Sequence, residues 1–406
     1  MDLNGLMYEY QQENSAMKKI IIGIIFGSRS VEHEVSIVTA HQVIQAIDRS
    51  KYDIVPIYIT REGHWFIGEK LLKLESFKDL SSLVASLEKA YIAPDPSVES
   101  LVLVSQKWFK KKTFKIDVAF PLVHGTYGEE GTLQGLFELA NIPYIGAGVL
   151  GSALGMDKIV MKSVFKDNHL PTVNYVWFLR NEWNDKQEKV IAEIEKNLKY
   201  PLFVKPANLG SSIGISKVKN KEALIYAIEV ASHYDRRLIV ENSVEGSIEI
   251  NCSVLGNEEP ISSVCEQPVS WEEFLNYDEK YLRGGKPSGL KGADRRIPAP
   301  ISSELAEKIQ ALALNAFKAI DCRGIARVDF LVNIEKGEIF INEINTIPGS
   351  ISFYLWEATG IKFSELVDKL INLAFDAQKE KSKTTYFYDS KLLQNFSRPS
   401  AKLGIK

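Results

Sequence analysis

Arg327-Val328-Asp329 and Glu343-Ile344-Asn345 are two polar–apolar–polar triplets on either side of a turn sequence centred on Lys336-Gly337. Successive side chains of a strand point to opposite faces. Arg327 and Asp329 therefore share a face, as do Glu343 and Asn345. A hairpin closing at Lys336-Gly337 sets Asp329 opposite Glu343 and Arg327 opposite Asn345, and turns Val328, Phe330 and Ile344 to the other side. Two carboxylates and an amide carbonyl are hard oxygen ligands that suit Mg²⁺, with water and phosphate completing its shell. Arg327 adds a cation able to stabilise a transferring phosphoryl group. The alternative is a solvated hairpin face carrying cross-strand ion pairs.

Working outward, strands are expected at Ile325–Val332 and Glu338–Ile344, after an amphipathic helix Ser303–Ile320 capped by Ser302 or Ser303. Strands at Glu249–Leu255 and Ile261–Glu266 precede a polar loop over 268–298, and a helix Lys362–Phe375 follows. Upstream, a helix Met156–Asn168, strands Leu202–Val204 and Leu238–Glu241, and a helix Lys221–Ser232 form a second unit. The first unit pairs a strand Lys18–Gly27 with a helix Val35–Ile47. Strands Asp53–Thr60 and Asp117–Val123 and a helix Thr132–Ala140 complete it, with an insertion over 68–115. This β–loop–α alternation argues for an α/β, doubly wound parallel sheet. Residues 1–17 read as a disordered leader and 379–406 as a Lys/Ser-rich tail.

Composition narrows the function. The 406 residues carry 49 Lys and Arg against 52 Asp and Glu, a net charge of −3, which argues against a general nucleic-acid binder. It leaves room for a local phosphate groove. Three separated cysteines without a CxxC argue against a disulfide framework and a structural zinc, and fit a reducing, cytoplasmic setting. The longest aliphatic run, Ile20 to Phe26, is too short to span a bilayer. No membrane partner is expected.

Other stretches carry weaker signals. Lys205-Pro206 leads into Gly210-Ser211-Ser212-Ile213-Gly214, whose glycines, hydroxyls and amides can cradle phosphate oxygens, or form a plain flexible loop. The GxxxxGK[ST] spacing is absent. Gly146-Ala147-Gly148-Val149-Leu150-Gly151 matches GxGxxG, but follows a strand of only three residues and reads better as a tight turn. His124 sits in a glycine loop closing a strand, Glu32-His33-Glu34 opens a helix, and Asp278-Glu279-Lys280-Tyr281 lies in the long polar loop.

In order, these pieces resemble the D-alanine–D-alanine ligases of the ATP-grasp superfamily. The similar segments are Phe26-Gly27-Ser28 with Glu32-His33-Glu34-Val35-Ser36, then His124-Gly125 with Gly128 to Gly135, Met156-Asp157-Lys158, Val204-Lys205-Pro206 and Gly210 to Gly214. Glu279-Lys280-Tyr281, Arg327-Val328-Asp329 and Glu343-Ile344-Asn345 with Pro348-Gly349 complete the series. The match runs from about Lys18 to Asp376. It implies a preATP-grasp domain over 18–146 and two ATP-grasp subdomains over 147–245 and 246–378.

The resemblance implies ligation of two D-alanines at the expense of ATP, through an acyl phosphate, for peptidoglycan precursors. Glu32 would hold the first amino group and His124 lie near the first carboxylate. Lys158 and Lys205 would contact phosphates, and Ser211 and Ser212 close over them. Glu241 would face adenine beside Val244, and Glu249 the ribose. Asp329, Glu343 and Asn345 would hold Mg²⁺, two ions being usual and Mn²⁺ a substitute. Arg327 and the Gly349 amide would stabilise the oxyanion. Lys280 and Tyr281 would arrive on a lid over 268–298, Tyr281 meeting Ser211 and Glu32. Ser352 and Tyr354 would line the second subsite, and a homodimer is implied. Two departures stand out: Glu129-Glu130-Gly131 replaces the family's common Glu-Asp-Gly, and Tyr354 stands where a serine is common. The second leaves D-serine or another small amino acid as an alternative acceptor. A non-catalytic ATP-binding module is a further alternative.

Overall fold

A computed structural model describes residues 19–98, 100–103, 113–269, 294–390 and 392. The expected leader, most of the tail, and Lys280 and Tyr281 lie outside the described residues. Three sheets follow one another along the chain.

The first has seven strands in the order β6-β5-β4-β3-β2-β1-β7. Its heart is β1 (Ile20–Gly27), between β2 (Tyr52–Ile59) and β7 (Val118–Pro121), all parallel. The insertion extends this sheet. From β3 (Trp65–Ile67) through β4 (Glu88–Ile92) and β5 (Ser100–Leu103) to β6 (Thr113–Lys115) every pairing is antiparallel. Its weak alternation hid the short strands β4 to β6. One face packs under α1 (His33–Ala46), the other under α3 (Thr132–Ala140), with α2 (Leu80–Ala85) inside the insertion. Leu366, Val367, Leu370 and Ile371 of α10 (Phe363–Lys381) join Ile22, Ile24 and Phe120 in one buried cluster. α10 thus seals the first sheet.

Next come α4 (Val149–Met156), whose start falls within the glycine stretch read as a tight turn, and α5 (Lys158–Asp167), the helix expected over Met156–Asn168. Asp157 separates them: its carboxylate accepts from the Ile159 and Val160 amides, capping α5. The second sheet, β10-β9-β11-β8, is antiparallel and comprises β8 (Tyr175–Leu179), β9 (Leu202–Pro206), β10 (Ser216–Val218) and β11 (Arg237–Asn242). The helices α6 (Arg180–Asn197) and α7 (Lys221–Ser232) back it.

The third sheet, β14-β13-β12-β15-β16, holds the opening triplets. Its strands are β12 (Ile248–Gly256), β13 (Ile261–Val269), β14 (Asp294–Arg296), β15 (Gly324–Asn333) and β16 (Glu338–Asn345). Val328, Phe330 and Ile344 bury against α8 (Ser303–Ala319), whose cap is Ser302 donated to by Leu305. A short turn Gly349–Ser352 and α9 (Phe353–Ala358) lead into α10.

The GxGxxG glycines serve packing. A Cβ on Gly324 would lie 2.7 Å from the Gly146 Cα, and one on Gly151 3.0 Å from the Asp321 carbonyl. Gly148 faces Arg323. This segment lies backbone to backbone on the 320–324 turn, which is why glycine stands at the points of closest approach.

Candidate active site

The expected hairpin forms, by a route the turn alone does not give. Asn333 pairs with Glu338, so a regular ladder would set Asp329 opposite Asn342 and send Glu343 to the apolar face. A one-residue bulge between Asp329 and Phe330 shifts the register. Asp329 then stands opposite Glu343 and Arg327 opposite Asn345. The row continues across the sheet, Asp329 pairing with Asn251 and Asn251 with Glu266.

Asp329 is nearly buried and receives Arg327 Nε and Nη2, each at 2.6 Å, and Asn345 Nδ2 at 3.0 Å. The ion pair thus runs along β15 rather than across the hairpin. Burial works against the Arg327 charge, but Asp329 overcomes it and holds the guanidinium protonated. Glu343 Oε2 lies 3.4 Å from Lys158 Nζ, which also donates to the Leu209 carbonyl at 2.8 Å. Asp329, Glu343 and the Asn345 amide give oxygen donors of the kind Mg²⁺ takes. Among the described residues no three His, Cys, Asp or Glu side chains gather as a metal cluster, so an amide and outside oxygens would have to complete the shell.

Behind the hairpin lies a charge cluster that sequence reading missed. Glu241, expected at adenine, commits its carboxylate to Lys205 at 2.6 Å and Lys162 at 3.2 Å. All three are buried, Lys162 completely. Burial would raise the Glu241 carboxyl, but the two lysines overcome it and hold it down at about 2. Burial lowers the Lys162 ammonium, with Glu241 opposing. The bulge residue completes the cluster: Asn342 Oδ1 accepts from Lys205 at 3.1 Å and its carbonyl from Lys162 at 3.4 Å. Lys158 and Lys162 lie one helical turn apart on α5, the spacing that could have pointed to the second lysine.

At the other end, Ser211 donates to Glu32 Oε1. Glu32 is buried between two glycine loops: a Cβ on Gly210 or Gly125 would come within 2.6 and 2.7 Å of its Oε2. Ser211 and Ser212 both take left-handed backbone, φ 53° and 59°. Val244 is half-buried, its carbonyl accepting from Ser247 Oγ at 2.7 Å, and Glu249 is half-buried on β12.

His124, expected beside the first carboxylate, has both ring nitrogens occupied. Nδ1–H donates to the Ile347 carbonyl at 2.8 Å, so Nε2 is the acceptor for the Thr39 hydroxyl at 2.9 Å. Thr39 Oγ1 in turn accepts from the Ser350 amide at 3.2 Å. Burial lowers His124 to about 4, keeping it neutral. Glu129 accepts from the Ile347 amide at 3.0 Å and the Gly125 amide at 2.7 Å. Burial, and then the nearby Glu32, push it up to about 8. Both backbone groups of Ile347 are therefore gripped, which fixes the turn carrying Gly349. Beyond it Ser350, Ile351 and Ser352 all have positive φ, 55°, 44° and 51°. This left-handed turn aims Tyr354 at Glu266, whose Oε1 accepts its hydroxyl at 3.1 Å.

With this geometry in view, comparison with known proteins is direct. The family profiles described as D-ala D-ala ligase N-terminus and C-terminus match residues 21–147 and 164–372. A D-alanine--D-alanine ligase of Chloroherpeton thalassium is 45% identical over 369 residues, 90% of this chain and 99% of that protein. One from Geobacillus thermodenitrificans is 43% identical, covering 91% and 100%. Among solved structures, the VanG D-Ala:D-Ser ligase of Enterococcus faecalis matches at TM-score 0.75 and 38% identity, covering 88% of this chain and 100% of that one. The D-alanine-D-alanine ligase of Coxiella burnetii also matches at 0.75, with 31% identity, covering 90% and 97%. The chain belongs to the D-alanine–D-alanine ligase family and has its ATP-grasp fold.

Proposed function

We propose that this chain joins two D-alanines, converting ATP to ADP and phosphate, for peptidoglycan precursor synthesis. The observation that carries the reading is the bulged hairpin, which groups Arg327, Asp329, Glu343 and Asn345 beside Lys158. Phosphoryl transfer is mostly positioning and charge compensation, and this group supplies both.

In this reading the first D-alanine gives its ammonium to Glu32, which Ser211 orients. Its carboxylate attacks the γ-phosphate of ATP to form an acyl phosphate, with Lys158 and Lys205 steadying phosphate oxygens. Asp329, Glu343 and Asn345 would hold Mg²⁺, which when bound neutralises charge on the nucleotide phosphates. The amine of the second D-alanine then displaces phosphate while Arg327 and the Gly349 amide receive the oxyanion. His124 and Glu129 hold the Gly349 turn in place. Glu241 keeps Lys205 charged and aimed, its carboxylate being taken up by lysines, and Val244 and Glu249 remain assigned to the nucleoside. Lys280, Tyr281 and Ser212 act in closure, and Ser352 and Tyr354 belong to the second subsite. Each sheet falls within one of the proposed domains 18–146, 147–245 and 246–378. A homodimer in the cytoplasm completes the proposal. No helix among the described residues is long and apolar enough to cross a membrane.

The test is incubation with ATP, Mg²⁺ and D-alanine, following ADP release and the dipeptide by mass spectrometry. Absence of ADP release with D-alanine alone refutes the reading. D-serine is the second acceptor to try, because the VanG D-Ala:D-Ser ligase is among the structural relatives and Tyr354 departs from the family's usual serine.

A further inference from the structure

Glu266 is fully buried on β13, at the far end of the polar row that begins with Glu343 and Asp329. Arg295 Nη1 reaches both of its oxygens, at 3.3 and 3.0 Å. The same guanidinium lies 4.0 Å from the centre of the Tyr354 ring, and Tyr354 donates to Glu266. Asn251 Nδ2 donates to Glu266 Oε1 at 3.1 Å, while its Oδ1 is buried without a hydrogen-bond partner. Arg295 is therefore built in. One edge is anchored by a buried carboxylate and one face rests on an aromatic ring. Yet its side chain stays 30% exposed while that of Glu266 is 0%. A guanidinium has five N–H donors in a fixed fork, and one edge of this one is spent on Glu266.

Resting on the ligase reading, we propose that Arg295, seated on Tyr354 and held by Glu266, is the residue that binds the carboxylate of the second amino acid. Arg295 stands on β14, but its guanidinium reaches over β13 to Glu266; adjacent strands lie about 4.8 Å apart, so that anchor is ~10 Å from β15 across the row. That span accommodates an α-amino acid whose amine points to Arg327 and Gly349 and whose carboxylate points to Arg295. The replacement of a small hydroxyl by Tyr354 then follows: the ring is the platform for a cation rather than a donor to substrate. Glu266 is a positioning residue, since its burial keeps it from touching substrate.

The test is a competition. The full chain is given ATP, Mg²⁺, D-alanine and D-alaninamide, which lacks the acceptor carboxylate. The ratio of D-Ala–D-Ala to D-Ala–D-alaninamide is read by mass spectrometry. That ratio does not depend on how much of a variant is folded. In the unaltered chain the free acid should win. In Arg295→Gln its advantage should fall about tenfold or more, as expected for loss of a charged hydrogen bond, and Arg295→Lys should restore part of it. Tyr354→Phe, which keeps the platform, should hold the ratio better than Tyr354→Ser. An unchanged ratio in Arg295→Gln, with or without lower turnover, overturns the inference and leaves the ligase reading intact. Neither product from the unaltered chain overturns the ligase reading itself.

Discussion

Replacing Glu241 by Gln tests whether the buried charge cluster is a structural unit. The substitution keeps the shape but leaves Lys162 and Lys205 sharing a dry site without a counter-charge. The magnitude follows from the carboxyl itself. It is held at about 2 against an ordinary 4.5, although burial pushes it the other way. At ~1.36 kcal/mol per pKa unit, this is about 3 kcal/mol in favour of the ionised form. Breaking a buried ion pair costs ~3–5 kcal/mol, in line with that figure. Against a typical stability of ~5–15 kcal/mol this is a large loss. Urea unfolding followed by tryptophan fluorescence reports it, because Trp183 is buried in the core of the second sheet. The second arm is Glu241→Gln combined with Lys162→Met, which also removes the fully buried ammonium. The double variant should be more stable than the sum of the single losses requires, by ~1–3 kcal/mol. A loss below about 1 kcal/mol in Glu241→Gln, or strict additivity in the double, would refute the argument.

Three further outcomes are expected. Glu343→Gln should raise the Mg²⁺ concentration for half-maximal ADP release at least about tenfold, since a charged oxygen ligand becomes neutral; an unchanged Mg²⁺ dependence would remove Glu343 from the metal set. His124, lowered from 6.5 to about 4, binds fewer protons folded than unfolded between those values. Its contribution is present above pH 6.5 and lost as pH falls toward 4, up to ~3 kcal/mol. The unfolding free energy of His124→Gln should therefore vary less with pH from 7 to 5, and parallel pH curves would contradict this. Glu129, raised to about 8, works in the opposite sense, its contribution fading as pH rises through its window. Gly324→Ala should lower the melting temperature by several degrees, because its Cβ would meet the Gly146 backbone at 2.7 Å and its φ is +74°; an unchanged melting temperature would show that the contact relaxes freely.

Much of this was legible from local pattern. The period-2 triplets located the hairpin of the candidate site, and the 3.6-period apolar stripe located α8, because both signals sit within a few residues of one another. The cap at Asp157 went unread, and with it the separate helix α4 in front of α5. What was not legible depends on contacts far apart in the chain. Lys162 is an ordinary helical lysine until Glu241 and Asn342 arrive around it. Arg295 and Glu266 look like separate surface charges until β13 and β14 pair. The partners of Glu241 and His124 are equally distant in sequence, their polar atoms being taken up by Lys205, Lys162, Ile347 and Thr39. The bulge at Asn342 is the subtlest case, since the turn and the site call for different registers and only the folded hairpin reconciles them.

That bulge also sets the phase of the hairpin at one point only. Residues 330–333 and 338–341 are a spacer between the carboxylates and the turn at 334–337. Lengthening or shortening the tip by matched pairs leaves the order of side chains below it untouched. Deleting the single residue Asn342 would leave Glu343 next to Ile341 and so still opposite Asp329, but would remove the amide oxygen and the carbonyl that accept from Lys205 and Lys162. The hairpin tip is thus a tolerant place to graft a tag or a reporter loop, while one position a few residues away is the tie between the carboxylate row and the lysines behind it.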